Sequence, residues 1–433
     1  MPESTVPEST VPERDVKGEG GEVLVIGGGV IGVCAAYYLA LAGRRVTLIE
    51  RGEICSGCSH GNAGLIVPSH SVPLAAPGVV AKGLKWMFDP ASPFYIKPRL
   101  DWELLSWLWR FNRASNKRQV RRAMPLIRDL SMASLRLYDE LAAEGQGFGL
   151  EHKGVLMLYK TEAGLREQVA DGRAMGEFGI EAREMSLAEI SELSPDMTVD
   201  ALGGVYYPQD GHVTPMQLVA ELARRAGELG VAVHTETEVL AFERAGARIS
   251  RVVTTRGDFT PEEVVLTAGA WSGVLARELG LRLPIQGGKG YSITFKQPEK
   301  SPSLPIVCGE AKIGVTPMID ALRFAGTLEL AGLDLSISRQ RVAAVLRGVP
   351  EYLPDLRPEE MELEEIWRGL RPCTPDGLPY LGRAPHIDNL TVAAGHAMIG
   401  VSLGPITGKL VSEVVGGEKP SIDLNLLKVD RYG

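Results

Sequence analysis

The chain has 433 residues, 45% of them hydrophobic, 50 glycines and a formal net charge of −8. Such a length leaves room for about three domain-sized units in a globular enzyme, and the acidic balance argues against a nucleic-acid partner. Five cysteines, an odd number scattered along the chain, do not form a disulfide framework and point to a reducing, cytoplasmic compartment.

In chain order, Pro2–Val6 is repeated as Pro7–Val11. The stretch has no apolar core of the kind a signal peptide needs, so residues 1–21 are expected to form a disordered leader. Residues 23–32, Val-Leu-Val-Ile-Gly-Gly-Gly-Val-Ile-Gly, predict a buried strand running into a glycine turn and then a helix over Val33–Ala42. Gly27 permits the tight turn, Gly29 lets backbone approach a pyrophosphate, and Gly32 lets helix and strand pack closely, with the helix N-terminus aimed at phosphate. The next apolar run, Arg45–Glu50, ends on an acid placed to accept ribose hydroxyls. Val23–Gly43 carries no charge and is long enough to span a bilayer, but a first strand and helix buried on both faces have the same hydropathy. It is therefore read as core.

Cys55-Ser-Gly-Cys58 has no second cysteine pair or Cys/His cluster to complete a zinc site, so no metal is expected. Trp86, Trp102, Trp107 and Trp109 precede a run from Arg110 to Arg128 that contains seven cations and no acid. That polarity predicts peripheral contact between residues 86–128 and the cytoplasmic face of an anionic membrane, the alternative being a solvated basic helix with core tryptophans. Val213–Leu229 predicts an amphipathic helix, and Val231–Thr235 and Glu263–Thr267 predict strands. A second glycine-rich strand-to-helix junction follows Leu390–Ala394 and leads through Gly395-His396 to a helix ending at Val415. It would place another helix N-terminus at the far end of an extended cofactor, where its dipole favours negative charge. No second strand-GxGxxG-helix occurs, so one nucleotide site is expected.

Taken together, GxGxxG with Glu50, Ser59-His-Gly-Asn-Ala-Gly64, Leu266-Thr-Ala-Gly-Ala-Trp-Ser272, Gly369-Leu-Arg-Pro-Cys-Thr-Pro-Asp-Gly377 and Gly395-His396 resemble the FAD-dependent amine and amino-acid oxidoreductases of the D-amino acid oxidase superfamily. Gly288-Lys-Gly-Tyr-Ser292 and Lys82-Gly-Leu-Lys-Trp-Met87 resemble, within it, the small subunit of the D-amino acid dehydrogenases. The resemblance implies an α/β fold: a discontinuous Rossmann-type FAD domain (22–90, 198–285 and 360–424), an α+β substrate cap on an antiparallel sheet (91–197 and 286–359), and a tail (425–433). It places Gly27, Gly29, Val30, Ile31, Gly32, Glu50, Arg51, Ser59, Asn62, Ala63, Gly64, Leu65, Val239, Ala268, Gly269, Trp271, Gly369, Gly400, Val401 and Ser402 around FAD.

The implied reaction moves hydride from an amine to flavin N5 and hydrolyses the imine, giving a 2-oxo acid and ammonia. The protein must then orient substrate and support flavin charge. A guanidinium fork best binds the substrate carboxylate, and Arg371 matches the family anchor, while strand alternation puts Arg368 on the opposite face. The family's second anchor, a tyrosine on the strand matching Lys312–Pro317, is missing, and Tyr291 is the candidate replacement. His396 matches a histidine beside the flavin. Lys289 and Arg323 are weaker candidates for the flavin edge. The sarcosine oxidases, which the chain also resembles, use an arginine at the position of Gly64 and a cysteine linkage at Gly369, so FAD is expected to be non-covalent and Cys373 a core thiol. The implied partners are an amino acid, with the D-enantiomer favoured, and a quinone or other acceptor. The alternatives are a proline- or hydroxyproline-type dehydrogenase and a non-catalytic FAD-binding electron-relay subunit.

Overall fold

The computed structural model describes residues 23–78, 94–97, 99, 101–145 and 147–432. The expected leader, Trp86 and the Lys82–Met87 motif lie outside the described residues. The strand Val23–Ile26 is wholly buried and runs into Gly27, whose φ is +114° and whose place a larger residue could not take, because a Cβ would sit 2.7 Å from the Thr267 carbonyl oxygen. The following helix is Val30–Leu41, three residues earlier than the sequence suggested. Its first free N–H, on Val30, is satisfied from outside the helix by Ser59 Oγ at 2.9 Å, which lets the helix begin directly at the turn.

That strand lies fourth in a six-stranded sheet ordered Tyr380–Arg383, Leu390–Ala394, Glu263–Leu266, Val23–Ile26, Val46–Ile49, Ala232–His234. All neighbours are parallel except the first pair. The predicted amphipathic helix is Pro215–Glu228. The predicted C-terminal helix is Gly400–Gly416, and it lies against the first helix so closely that a Cβ on Gly408 would be 2.6 Å from the Cys34 carbonyl. This packing buries Val23, Val25 and most of Val30–Ala40 in one apolar cluster, while Leu24 and Ile26 join a second cluster on the other face of the sheet. Among the described residues, no helix is long and apolar enough to cross a membrane.

The larger sheet runs Leu363–Cys373, Gln286–Lys296, Ala321–Leu330, Ile313–Met318, Ile306–Cys308, Val155–Tyr159, Gly203–Tyr207, Arg183–Met185, with Phe94–Ile96 beside Ala321–Leu330. Two of its strands, Gly203–Tyr207 and Leu363–Cys373, fall inside segments that the sequence assigned to the nucleotide-binding unit. Leu363–Cys373 crosses over because it pairs along its length with Gln286–Lys296. The register sets the faces. Gly288, Gly290, Ser292 and Thr294 stand opposite Arg371, Gly369, Trp367 and Glu365, so these eight share one face. Lys289, Tyr291 and Ile293 share the other with Leu370, Arg368 and Ile366. Helix Arg339–Gly348 covers that second face through Val342 and Val345, which pack in one cluster with Tyr291 and Ile293.

The end of the chain is packed rather than trailing. Leu427 and Val429 are buried, Leu381 N–H donates to the Leu427 carbonyl, and Arg431 pairs with Asp376 at 2.9 Å while its guanidinium lies 3.9 Å from the Tyr380 ring centre.

One buried acid makes the fold pH-dependent. Asp210 is fully buried and accepts hydrogen bonds from Ser69 N–H (3.0 Å) and Ser69 Oγ (2.5 Å). Burial outweighs these bonds and pushes its carboxyl up to about 7. Since the folded value exceeds the unfolded one, the native state holds a proton that the unfolded state has lost. Asp210 therefore contributes stability at acid pH that disappears as pH rises toward 7. Asp210→Asn, which keeps the Ser69 N–H contact and can donate to the Ser69 hydroxyl, should flatten this part of the stability profile and favour the variant at pH 8 relative to pH 5 by up to about 3 kcal/mol. Denaturant titrations of both proteins between pH 5 and 8 measure it; parallel profiles would show that the carboxylate is already ionised.

Candidate active site

The carboxyl ends of the parallel strands gather the residues expected to bind the nucleotide. After Val46–Ile49 the Glu50 carboxylate accepts from Gly28 N–H at 2.6 Å and Gly52 N–H at 3.0 Å, so the acid is fixed at the strand end. Glu50 O accepts from Thr237 N–H at 2.7 Å, which draws in the segment leading to Val239. The Arg51 guanidinium lies 3.7 Å from the ring centre of Trp271, next to Ala268 and Gly269 beyond Glu263–Leu266. Within the glycine turn the three positions differ. A Cβ on Gly32 would strike Gly27 O at 1.8 Å, whereas one on Gly29 would meet only Ser59 Oγ at 3.3 Å. Gly32 is thus a packing glycine, and Gly29 borders open space. Among the described residues, neither helix that starts here, at Val30 or at Gly400, is capped by its own N-cap side chain or carries a first-turn acid, and Ser59 Oγ takes up only the Val30 N–H. Both leave N–H donors and the positive dipole end available to an anion.

The loop from Ser59 to Gly64 joins this region to the large sheet. Asn62 Oδ1 accepts from Gly64 N–H (2.8 Å) and its Nδ2 reaches Met398 O (3.4 Å). Arg323 Nη1 donates to the carbonyls of His60 (2.7 Å) and Asn62 (2.9 Å), and its Nε to Thr294 Oγ1. Ala63 lies over Gly314, Leu65 pairs with His212, and Ser402 Oγ accepts from Val67 N–H at 3.1 Å. The Trp367 indole fills the gap between loop and sheet: a Cβ on Gly61 or Gly369 would lie 1.9 or 1.7 Å from its ring. His60 stacks near that ring and meets Glu365 at 2.8 Å. Trp367 carries no motif of its own in the sequence, and Gly61 and Gly369 stand there only as members of family motifs, not as the space an indole needs. Arg323, only a weak candidate there, is the clamp of this loop.

Arg371 stands on the same sheet face. Its guanidinium lies over Gly290, where a Cβ would be 2.0 Å from Nη1, and Nη1 donates to Thr327 O at 2.7 Å. Among the described residues no carboxylate pairs with it, whereas Arg323 holds the loop through Nη1 and Thr294 through Nε, and Arg368 donates to Leu335 O on the opposite face.

Three sequence expectations, those for Tyr291, Lys289 and Trp107, need correction. Tyr291 cannot replace the missing anchor, because strand alternation puts it on the face opposite Arg371. Its hydroxyl meets Glu329 Oε2 at 3.3 Å and accepts from Ser338 N–H at 3.2 Å, in the core. Lys289, on that same face, is tied to Asp334 at 3.2 Å and Ser336 O at 3.0 Å. His396 is buried with Nε2 3.1 Å from Thr407 Oγ1, and burial pushes it down to about 3. It is a neutral ring that braces the C-terminal helix. Trp107 is 2% exposed, stacks on Phe111 and donates to the Cys373 carbonyl at 3.0 Å, so it is core. Cys373 itself is buried, and burial pushes its thiol up to about 12.

A fixed acid after the second strand, two helix starts with free first-turn N–H groups and a glycine beside open space suit a dinucleotide, and residues 22–414 match the family model "FAD dependent oxidoreductase", DAO. The chain belongs to the DAO family of FAD-dependent oxidoreductases. It is 34% identical to a D-amino acid dehydrogenase of Vibrio atlanticus over 95% of this chain and 100% of that protein, and 32% identical to one of Chromohalobacter salexigens over 95% and 99%. Among solved structures, a glycine oxidase from Geobacillus kaustophilus superposes with a TM-score of 0.78 at 27% identity, covering 95% of this chain and 99% of that one. An L-proline dehydrogenase from P. horikoshii, at 20% identity and a TM-score of 0.74, shares the fold. The residues of this flavoenzyme fit FAD: Gly29 would leave space for a pyrophosphate, the Glu50 carboxylate could accept ribose hydroxyls beside its two backbone N–H bonds, and the first turn of Gly400–Gly416 would offer N–H groups to the flavin end. Gly369 offers no side chain for covalent attachment.

Proposed function

We propose that this oxidoreductase oxidatively deaminates amino acids, D-enantiomers in particular, with Arg371 as the carboxylate anchor. The observation that carries the reading is a guanidinium on the sheet face beside the Ser59–Gly64 loop that has no acid partner among the described residues. A planar fork so placed accepts a carboxylate bidentately. FAD, when bound, takes up the hydride lost from the substrate α-carbon. The chain's own contribution is placement: Arg371 fixes the carboxylate, and Arg323 and Trp367 hold the loop against the sheet. The imine released is hydrolysed by water to the 2-oxo acid and ammonium. The names of the curated relatives support this reading.

A panel of D- and L-amino acids and cyclic secondary amines, assayed with a quinone-like dye, tests it. Equal yields of 2-oxo acid and ammonia from D-amino acids are expected. Turnover confined to D-proline or hydroxyproline without ammonia release would favour the secondary-amine alternative.

A peripheral membrane setting with a quinone acceptor belongs to the same proposal. Trp102, Leu105 and Trp109 are 84%, 47% and 58% exposed along one side of helix Trp102–Ala114, the Arg113 guanidinium lies over Trp109, and Lys117, Arg118, Arg121 and Arg122 are exposed beyond it. Each cation that reaches anionic lipid contributes about 1 kcal/mol, and salt screens that attraction. Binding to anionic vesicles should exceed binding to neutral ones, fall with salt, and drop when Arg118, Arg121 and Arg122 become Gln while dye turnover persists. No binding to anionic vesicles at low salt would refute the membrane assignment.

A further inference from the structure

The edge of the anchor contains a strained residue that no sequence feature marked. Strand Ala321–Leu330 pairs with Gln286–Lys296 through Tyr291↔Gly326 and Lys289↔Glu329. Two residues, Thr327 and Leu328, therefore stand opposite one, Gly290. This is a β-bulge, and its first residue has φ +63°. Left-handed bulge positions are normally glycine, and a β-branched residue there is an outlier. Such strain persists where the surrounding structure enforces it, and it collects at functional sites.

The bulge has a specific product. In a regular ladder a carbonyl points within the sheet toward its partner strand, but the extra residue turns the Thr327 carbonyl onto the face of Arg371, where it accepts from Nη1 at 2.7 Å. Gly290, the residue opposite the bulge, has no Cβ to keep the guanidinium away. One edge of the fork is thus held by backbone and a flat floor lies beneath it, leaving its other donors to a ligand. Thr327 Oγ1 is buried without a partner among the described residues, so none of them holds the threonine in this conformation through its hydroxyl.

We propose that Thr327 is a positioning residue: its strained bulge aims a backbone carbonyl at Arg371 and sets the guanidinium plane that receives the substrate carboxylate. The inference rests on Arg371 being the anchor.

The test is a set of variants of the FAD-loaded enzyme, measured by KM and kcat for a D-amino acid and by the Kd of a simple carboxylate inhibitor. Thr327→Gly keeps the left-handed backbone without strain, so KM and Kd should stay within about twofold of wild type while stability is equal or higher. Thr327→Pro cannot adopt φ +63° and should raise KM and the inhibitor Kd about tenfold or more, with a smaller change in kcat and retained FAD. Gly290→Ala, which displaces the guanidinium while leaving residue 327 intact, should do the same and serves if the proline variant does not fold.

In an Arg371→Lys background neither substitution should add a further loss, because both act through the guanidinium. A Thr327→Gly defect as large as that of proline would place the effect in the side chain and overturn the proposal. So would full additivity with Arg371→Lys, or unchanged KM in Gly290→Ala. Normal kinetics in Arg371→Lys alone would instead remove the anchor reading itself.

Discussion

Arg371→Lys is expected to lower kcat/KM by about a hundredfold or more while the protein keeps its FAD. An ammonium keeps the charge but loses the fork. Its three donors diverge from one nitrogen, so it cannot hold the carbonyl that Nη1 meets at 2.7 Å and also present two parallel N–H groups to a carboxylate. Because the guanidinium has no acid partner among the described residues, its replacement strands no buried anion, and the loss should appear in substrate binding rather than in folding. Steady-state kinetics with flavin content measured on the same sample separate the two. If turnover is near normal, the carboxylate is held elsewhere, and Arg368, on the opposite face of the strand, would be tested next.

Gly32→Ala and Gly29→Ala should fail differently although they lie three residues apart. The added methyl of Gly32→Ala would lie 1.8 Å from Gly27 O and 2.7 Å from Thr267 Oγ1. A backbone carbonyl at a tight turn cannot step aside, so strand and helix must separate. The expected cost is about 3 kcal/mol or more, with FAD lost as a consequence. The methyl of Gly29→Ala would meet only Ser59 Oγ at 3.3 Å, at an ordinary φ of −76°. Its apoprotein should melt like wild type and yet bind FAD more weakly, because the methyl projects into the space left for the pyrophosphate. Melting temperature without flavin, together with the FAD dissociation constant, distinguishes them. Equal apoprotein stability for both variants would mean that the turn relaxes and that Gly32 is not a packing glycine.

The parts of the fold visible in the sequence were those written in local pattern. The glycine turn, Glu50, the strand Leu390–Ala394 and the helix now seen at Gly400–Gly416 each follow from residue spacing. The faces of the large sheet do not. Whether Tyr291 stands beside Arg371 depends on the pairing Tyr291↔Arg368, which is a long-range register. The bulge at Thr327 is hidden for the same reason, since threonine is an ordinary strand residue and only the mismatch with Gly290 reveals the extra position. Helix Trp102–Ala114 shows a third limit. Leu104, Trp107 and Phe111 recur at helical spacing, as do Trp102, Leu105 and Trp109, so periodicity alone could not select which stripe is buried. Tertiary contact chose the first, through Trp107 and the Cys373 carbonyl. His396 was legible as a ring near a helix start, but its neutrality came from burial, which the sequence does not display.

The most direct test of the central claim is anaerobic mixing of the purified holoenzyme with a single D-amino acid and, separately, its L-enantiomer, following the oxidised flavin absorbance. The account predicts full bleaching by the D-amino acid with one equivalent of 2-oxo acid formed, little or no bleaching by the L-enantiomer, and loss of D-driven bleaching at the same concentration in Arg371→Lys. A wild-type flavin that stays oxidised with every D-amino acid tried would contradict it, and would leave the chain an FAD-binding electron-relay subunit rather than an amino-acid dehydrogenase.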